Sequence, residues 1–192
     1  MQAIPINLEM MMAKNKRLED RQAKLDDIVD VARQLFSERG YEATSMQQLA
    51  SQAGIAANTI YWYFDDKDDV LTAVLNQLLA DSWQQYQQEN LSVLADKLLW
   101  LVDKFEQTQR LISTVHARIH HSISLATWHE RFHQLAEGLL RHELQQHGIS
   151  DERLEDSVKI FIFVIEGLLV HPLSLAQKQA ICQTLCKSSL SL

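Results

Sequence analysis

Residues 21–71 read RQAKLDDIVDVARQLFSERGYEATSMQQLASQAGIAANTIYWYFDDKDDVL, and the periodicity of this stretch decides the fold class. Ile28, Val31, Ala32, Leu35 and Phe36 recur at i, i+3, i+4, i+7 and i+8. They form one apolar stripe along a helix predicted from Asp20 to Arg39. Gly40 supplies the residue that stops it. Thr44 or Ser45 then caps a second helix, with Gln47 and Gln48 placed as capping-box partners. That helix turns Leu49, Ala50 and Ala53 inward and ends at Gly54, where Ile55 anchors the turn. A third, short helix is predicted over 57–63, closed by the aromatic run Tyr61-Trp62-Tyr63-Phe64. A long fourth helix follows Asp65, Asp66 and Lys67 to about Tyr86, with Val70, Leu71, Val74, Leu75 and Leu78 on one side. A short helix rich in polar and aromatic side chains, braced by two others, suits a DNA groove.

Outward from this segment, further helices are predicted at about 91–107, 109–122, 127–147, 151–170 and 173–188. Gly148 ends one of them, and Ser150-Asp151-Glu152 starts the next with acids in its first turn. His171-Pro172 breaks another. With only 5 Gly and 2 Pro in 192 residues, and 46% hydrophobic residues, the chain reads as all-α with about nine helices. The domains expected are a flexible basic arm over 1–19, a helix-turn-helix domain over 20–66, and a helical body over 67–192.

No run of about 18 apolar residues occurs, so no membrane partner is expected. Met1 to Met12 lacks the pattern of a secretory signal. Cys182 and Cys186 lie four apart and read as two small buried side chains in a reducing, cytoplasmic compartment. The net charge of −7 argues against a broad positive field. Lys14, Lys16, Arg17, Arg21 and Lys24, against Glu19 and Asp20, leave a local basic strip instead. No Gly-rich phosphate loop and no nucleophile elbow is present, so no enzyme activity is expected.

The segment resembles the TetR family of bacterial transcription regulators. The resemblance is carried by Ala32, Leu35-Phe36, Gly40-Tyr41, Thr44-Ser45, Leu49-Ala50, Ala53-Gly54-Ile55, Thr59-Ile60-Tyr61, Tyr63-Phe64, Lys67 and Leu71. It covers about residues 24–75 without a gap and implies a DNA-binding headpiece on a helical ligand-binding and dimerisation body. Where the family often carries Ser-Lys-Gly, this chain has Ala56-Ala57-Asn58, which loses a phosphate contact and a preferred N-cap. Tyr63 stands where many members have His, and Trp62 is bulky for a position expected to face DNA.

On this reading Asn58 and Thr59 reach base edges, and Ala57 touches a thymine methyl. Tyr61 and Tyr63 offer hydroxyls to phosphates, and Lys67, with a helix N-terminus beside it, supplies charge and free N–H groups for another. Ser45, Met46 and Gln47 lie near the DNA backbone, and Trp62 faces the duplex. Ile60 and Phe64 read as mini-core, and Tyr61 reads equally well either way. The partners expected are a palindromic double-stranded operator and an unidentified small-molecule effector. The function expected is a repressor released by that effector, and the alternative is a dimeric DNA binder that senses no ligand.

All eight histidines fall in the body, at 116, 120, 121, 129, 133, 142, 147 and 171. The pairs His116/His120 and His129/His133 each share a helix face at i, i+4 spacing. No cysteine joins them and Glu130 and Glu137 are the only near carboxylates, so neither a metal nor a cofactor is expected. Trp100, Phe105, His116, His120, Trp128 and Phe132 are the expected effector-binding residues. The stretch VKIFIFVIEGLLV over 158–170 is apolar nearly all round. Val158, Phe161, Ile162, Ile165, Leu168 and Leu169 are therefore expected to form a homodimer interface, two helices pairing with their mates as a four-helix bundle.

Overall fold

The computed structural model of the protein describes residues 8–190, and the expectations for residues 1–7 lie outside them. Among the described residues the regular structure is all helical. In chain order it comprises α1 (Leu8–Glu38), α2 (Met46–Gln52), the 3-10 turn η1 (Ile60–Trp62) and α3 (Lys67–Gln88). These are followed by α4 (Leu94–Gln107), α5 (Gln109–Arg118), α6 (Ile123–Gln146), α7 (Asp151–Val170) and α8 (Leu175–Leu190). Two compact units result, Met1–Gln77 and Leu78–Leu192, with α3 running through their junction.

In the first unit the apolar stripe of α1 is buried as the periodicity requires: Ile28, Ala32, Leu35 and Phe36 are all inside. Val29 is buried where Val31 had been expected, and Val31 is only half-buried. Leu49 and Ala50 from α2, Ile60, Phe64, and Val70, Leu71 and Val74 from α3 complete this core. Burying each such large side chain contributes about 1.5–3 kcal/mol. Ser45 is the N-cap of α2: its hydroxyl accepts from the Gln48 N–H, and the Gln48 side chain accepts from the Ser45 N–H at 2.8 Å. At the other end Gly54 adopts φ 66°, and the Ile55 N–H reaches back to the Ala50 carbonyl at 3.0 Å while the Gly54 N–H bonds Ser51 at 3.2 Å. This pair of bonds closes the helix and needs a left-handed residue at Gly54.

Two boundaries differ from the sequence reading. α1 begins at Leu8, not Asp20, so the described part of the expected flexible arm is helix. Apart from Asn15, that stretch is Leu, Glu, Met, Ala, Lys and Arg, all of high helix propensity, with no Gly or Pro to interrupt it. The expected third helix is a turn at 57–59 followed by one turn of 3-10 helix. Its bonds are mostly of the i→i+3 kind: Thr59 N–H to Ala56, Trp62 N–H to Thr59 and Tyr63 N–H to Ile60. Ala56 offers no side-chain cap, and Thr59-Ile60 followed by aromatics disfavours extension into an α-helix.

The second unit has its own core of Leu98, Val102, Leu144, Ile149, Leu154, Val158, Phe161 and Cys182. α4 packs on α7 and α8, and α6 packs on α7. Gly148, at φ 84°, ends α6 with the same double bond as Gly54, from Ile149 to Leu144 and from Gly148 to Gln145. Ser122 caps α6 by accepting from the Leu125 N–H at 3.3 Å, which starts that helix at Ile123, ahead of the expected 127. Ion pairs link helices: Glu106 with Lys178, Lys97 with Glu143, and Arg141 with Glu155 through two bonds of 2.8 and 2.9 Å. Both cysteines are buried, and burial pushes the Cys186 thiol up to about 11, which keeps it protonated.

The residues expected at a subunit interface are largely consumed inside the protomer. Phe161, Ile165 and Leu168 are 0, 8 and 2% exposed in the second core, and Ile162 and Leu169 pack partly buried against it. They keep little surface to offer a partner, because α7 lays that face on α4, α6 and α8. The opposite face is the uncovered one. Ile160, Phe163 and Val170 are 51, 68 and 76% exposed.

Candidate nucleic-acid interface and effector site

A four-residue brace holds the headpiece turn in place. The Tyr41 hydroxyl donates to the Asp68 carboxylate, and both residues are buried. The Lys67 ammonium donates to the backbone carbonyls of Tyr41 and Thr44, each at 2.8 Å, and stands 4.1 Å from the Tyr41 ring centroid. The Thr44 hydroxyl donates to the Gly40 carbonyl at 2.9 Å. Lys67 had been expected to meet a phosphate. Its charge is instead directed into the fold, onto carbonyls left open between α1 and α2. Tyr41 and Asp68 were not singled out by periodicity, because a contact between positions 27 residues apart leaves no local trace.

The other expected DNA-contacting residues sit on the outside of this scaffold. Ser45 and Gln47 are exposed at the start of α2, although the Ser45 hydroxyl is engaged in its cap. Gln47 and Ser51 border an open hollow of about 310 Å³ shared with Arg39 and Gln52. Ala57 and Asn58 are exposed, Thr59 half-buried, Tyr61 53% exposed and Trp62 76% exposed. Ile60 and Phe64 alternate with them and are buried, so η1 is pinned by one edge and offers the other. Tyr63 is half-buried, with the Arg21 guanidinium 5.9 Å from its ring centroid. Arg21 thus brings the basic strip of α1 beside the aromatic run. That is a neighbour the sequence signalled only by charge.

In the body the expected effector residues divide into two groups. Phe105, Trp128 and Phe132 come together: Trp128 stacks on Phe132 at 5.2 Å and 8°, and Phe105 meets Phe132 edge-on at 5.9 Å. His116 joins through His129, at 5.2 Å between ring centroids. His129 and His133 were not among the expected effector residues. They complete the group, with their Nε2 atoms 3.2 Å apart and the His133 ring 5.9 Å from Phe132. Burial first, then the charges of His133 and His116, hold the His129 pKa below its ordinary value. Trp100 belongs elsewhere. It packs on Tyr86 at 5.3 Å, lies 5.4 Å below the Lys104 ammonium, and its buried indole N–H meets no acceptor among the described residues. His120 is exposed at the end of α5, outside both groups. Among the described residues no set of three or more His, Cys, Asp and Glu could hold a metal ion. Nor is any described helix long and apolar enough to cross a membrane.

Residues 28–74 match the family model described as bacterial regulatory proteins, tetR family. The chain is 28% identical over 113 residues to the transcriptional regulator AcrR of Shigella flexneri, covering 54% of this chain and 52% of that protein. It is 35% identical over 79 residues to HbdR of Aromatoleum sp., covering 41% of this chain and 33% of that one. The chain thus spans about half of AcrR and a third of HbdR. Among solved structures, a transcriptional regulator from Rhodococcus sp. superposes with a TM-score of 0.70 at 16% identity, over 88% of this chain and 98% of that one. One from Saccharomonospora viridis, solved in complex with choline, gives 0.68 at 15% identity, over 87% and 96%. At such identities these likenesses concern the fold.

Proposed function

We propose that the chain, whose residues 28–74 match the tetR family model, is a dimeric transcription regulator, a repressor released from a palindromic operator by a small-molecule effector. The observation that carries the DNA-binding reading is the outer edge of η1. Asn58, Tyr61 and Trp62 stand exposed on a turn whose inner edge, Ile60 and Phe64, is locked in the core. A monomer gains nothing from Trp62 at 76% exposure, whereas a groove or a phosphate gives that side chain a partner. Asn58 and Thr59 take base edges, Ala57 a thymine methyl, and Tyr61, Tyr63, Ser45 and Gln47 the backbone on either side. Lys67 acts from behind, as the brace of the turn.

The face for a second copy is the outer stripe of α7. Ile160, Phe163, Gly167 and Val170 follow at i, i+3, i+7 and i+10, with exposed Leu175 and Ile181 on α8 nearby in sequence. A Cβ at Gly167 would meet nothing within 4 Å in the protomer, so there is room for a partner's helix to approach closely. Two-fold pairing is what a palindromic operator requires, since two recognition elements must enter grooves about 34 Å apart. The effector site is the aromatic and imidazole group of α4, α5 and α6. That a protein of this fold was solved in complex with choline supports the reading that the chain binds a small molecule. A coupling of about 1–3 kcal/mol between effector and operator weakens DNA binding roughly 5- to 150-fold, and operator weakens effector binding equally.

Selection of binding sites from random duplexes tests the reading. Asn58→Ala is expected to change the selected motif at a cost of about 1–3 kcal/mol, while Tyr63→Phe weakens all sequences alike. An unchanged motif for Asn58→Ala removes it as a reader. The second reading, a DNA binder without a sensing role, follows if operator affinity responds to no ligand that the body binds.

A further inference from the structure

Three imidazoles, His116 of α5 with His129 and His133 of α6, form a continuous cluster, their ring centroids 5.2 and 4.4 Å apart in sequence of contact. The cluster is joined to an apolar wall: Phe132 adjoins His133 and is stacked face to face on Trp128. None of these side chains is fully buried, so both wall and cluster are reachable. We propose that they form the acid-recognising end of the effector site, taking a ligand with a flat apolar body and one anionic group. The inference rests on the ligand-responsive reading above and names the class of ligand.

The argument is one of missing counter-charge. Clustered imidazoles are ordinarily settled by a carboxylate, which fixes a tautomer and takes an N–H. Here the charges that bear on His129 are those of His133 and His116. Four carboxylates of the surrounding helices are engaged elsewhere: Glu106 with Lys178, Glu130 with Gln134, Glu143 with Lys97, and Glu155 with Arg141. Arg118 lies at the end of α5, and Arg131 and Glu137 are carried by α6 itself. The cations Lys104 and Arg110 belong to the Trp100 side and the start of α5. Without a bound anion, burial and then the charges of His133 and His116 oppose protonation of His129.

Its nitrogens are held by the His129–His133 contact at 3.2 Å, in which one Nε2–H donates to the other Nε2. An anionic group against the cluster reverses that balance. The accepting nitrogen takes a proton from solvent, the internal bond opens, and both N–H groups donate to the ligand's oxygens. Binding therefore takes up a proton, while the flat body of the ligand lies along Trp128 and Phe132. A cationic ligand held by the same aromatic faces would show the opposite pH dependence.

Three probes of matched shape test this on the full-length protein by calorimetry at about pH 6 and about pH 8: benzoate, neutral benzamide and benzyltrimethylammonium. Benzoate is expected to bind with proton uptake, read from buffers of different ionisation enthalpy, and to tighten up to about tenfold for each pH unit of acidification. Benzamide gains nothing from acidification. His133→Gln flattens the benzoate profile, and the ring proton shifts of His129 in the wild type move toward the protonated form on addition of benzoate. The last readout does not depend on how the variant folds. No binding of benzoate at millimolar concentration, equal affinity at the two pH values, preference for the quaternary ammonium, or displacement of benzoate by tightly bound zinc would each overturn the inference. Benzoate bound with proton uptake while operator affinity stays unchanged would uphold the site and sink the regulatory reading. Specific operator binding with no acid bound would do the reverse.

Discussion

Replacing Lys67 by methionine separates two roles that a lysine at this place could play. In the structure its ammonium holds the Tyr41 and Thr44 carbonyls at 2.8 Å each and lies 4.1 Å from the Tyr41 ring centroid. Methionine keeps the length and the apolar stem but removes all three contacts. Hydrogen bonds from a charged donor contribute about 1.5–3 kcal/mol each when buried. Lys67 is only half-buried, so about 1 kcal/mol each is the better figure. The ring contact adds about 0.5–1 kcal/mol. The headpiece is therefore expected to lose about 2–3 kcal/mol of stability. Amide exchange at the buried Ile28, Leu49 and Ile60 should report that loss, while the core of the second unit, such as Phe161, is unaffected. Operator binding measured over a range of salt should weaken without a change in the slope of log K against log salt. A lysine spent on a phosphate gives a different result: stability unchanged, and a slope smaller by about 0.9. That outcome would refute the brace.

Ser45→Ala should cost about 1 kcal/mol through loss of the α2 cap, seen as a lower melting temperature with Gln48→Ala adding little more. Phe161→Ala and Phe163→Ala lie two residues apart and should behave oppositely. The first empties the core and costs about 3–5 kcal/mol. The second leaves unfolding of the protomer almost unchanged and shifts the dimer toward monomer in light scattering. Equal destabilisation by both would mean that the outer face of α7 is not an interface. For pH, His129 has its folded pKa below the ordinary 6.5, so the unfolded chain takes the proton first. Stability is then full above that ordinary value and declines as pH falls below it toward the folded pKa. His129→Gln should remove part of this decline in urea unfolding, and an unchanged decline would show that the cluster does not carry it.

Much of the headpiece could be read from the chain because its determinants are local. A stripe at i, i+3, i+4 and i+7 places Ile28, Ala32, Leu35 and Phe36 on one face whatever lies opposite. Ser45 with Gln48, and Gly54 with Ile55, close hydrogen bonds within a few residues of themselves. The helix start at Leu8 was missed because a basic, Met-rich stretch satisfies helix propensity without an apolar stripe, which periodicity cannot detect. The shortening of the third helix to η1 was missed for the converse reason. Thr59-Ile60-Tyr61 and Tyr63-Phe64 carry the family's pattern, but with Ala56 offering no cap the backbone settles into i→i+3 bonds.

What tertiary structure alone decided is which of several equivalent faces or partners is used. The segment 158–170 is apolar nearly all round, so the sequence could not say which side of α7 faces its own core. Packing against α4, α6 and α8 took Phe161, Ile165 and Leu168 and left Ile160, Phe163 and Val170 outside. Lys67 could equally have reached out to a phosphate, and only the turn at Tyr41 and Thr44, brought close by the fold, draws it in. The histidines were visible as i, i+4 pairs along single helices. That His129 meets His116 of another helix, and that Trp100 keeps company with Tyr86 and not with Trp128, depends on how helices distant in sequence pack together. Such contacts between separate helices leave no period in the chain from which to read them.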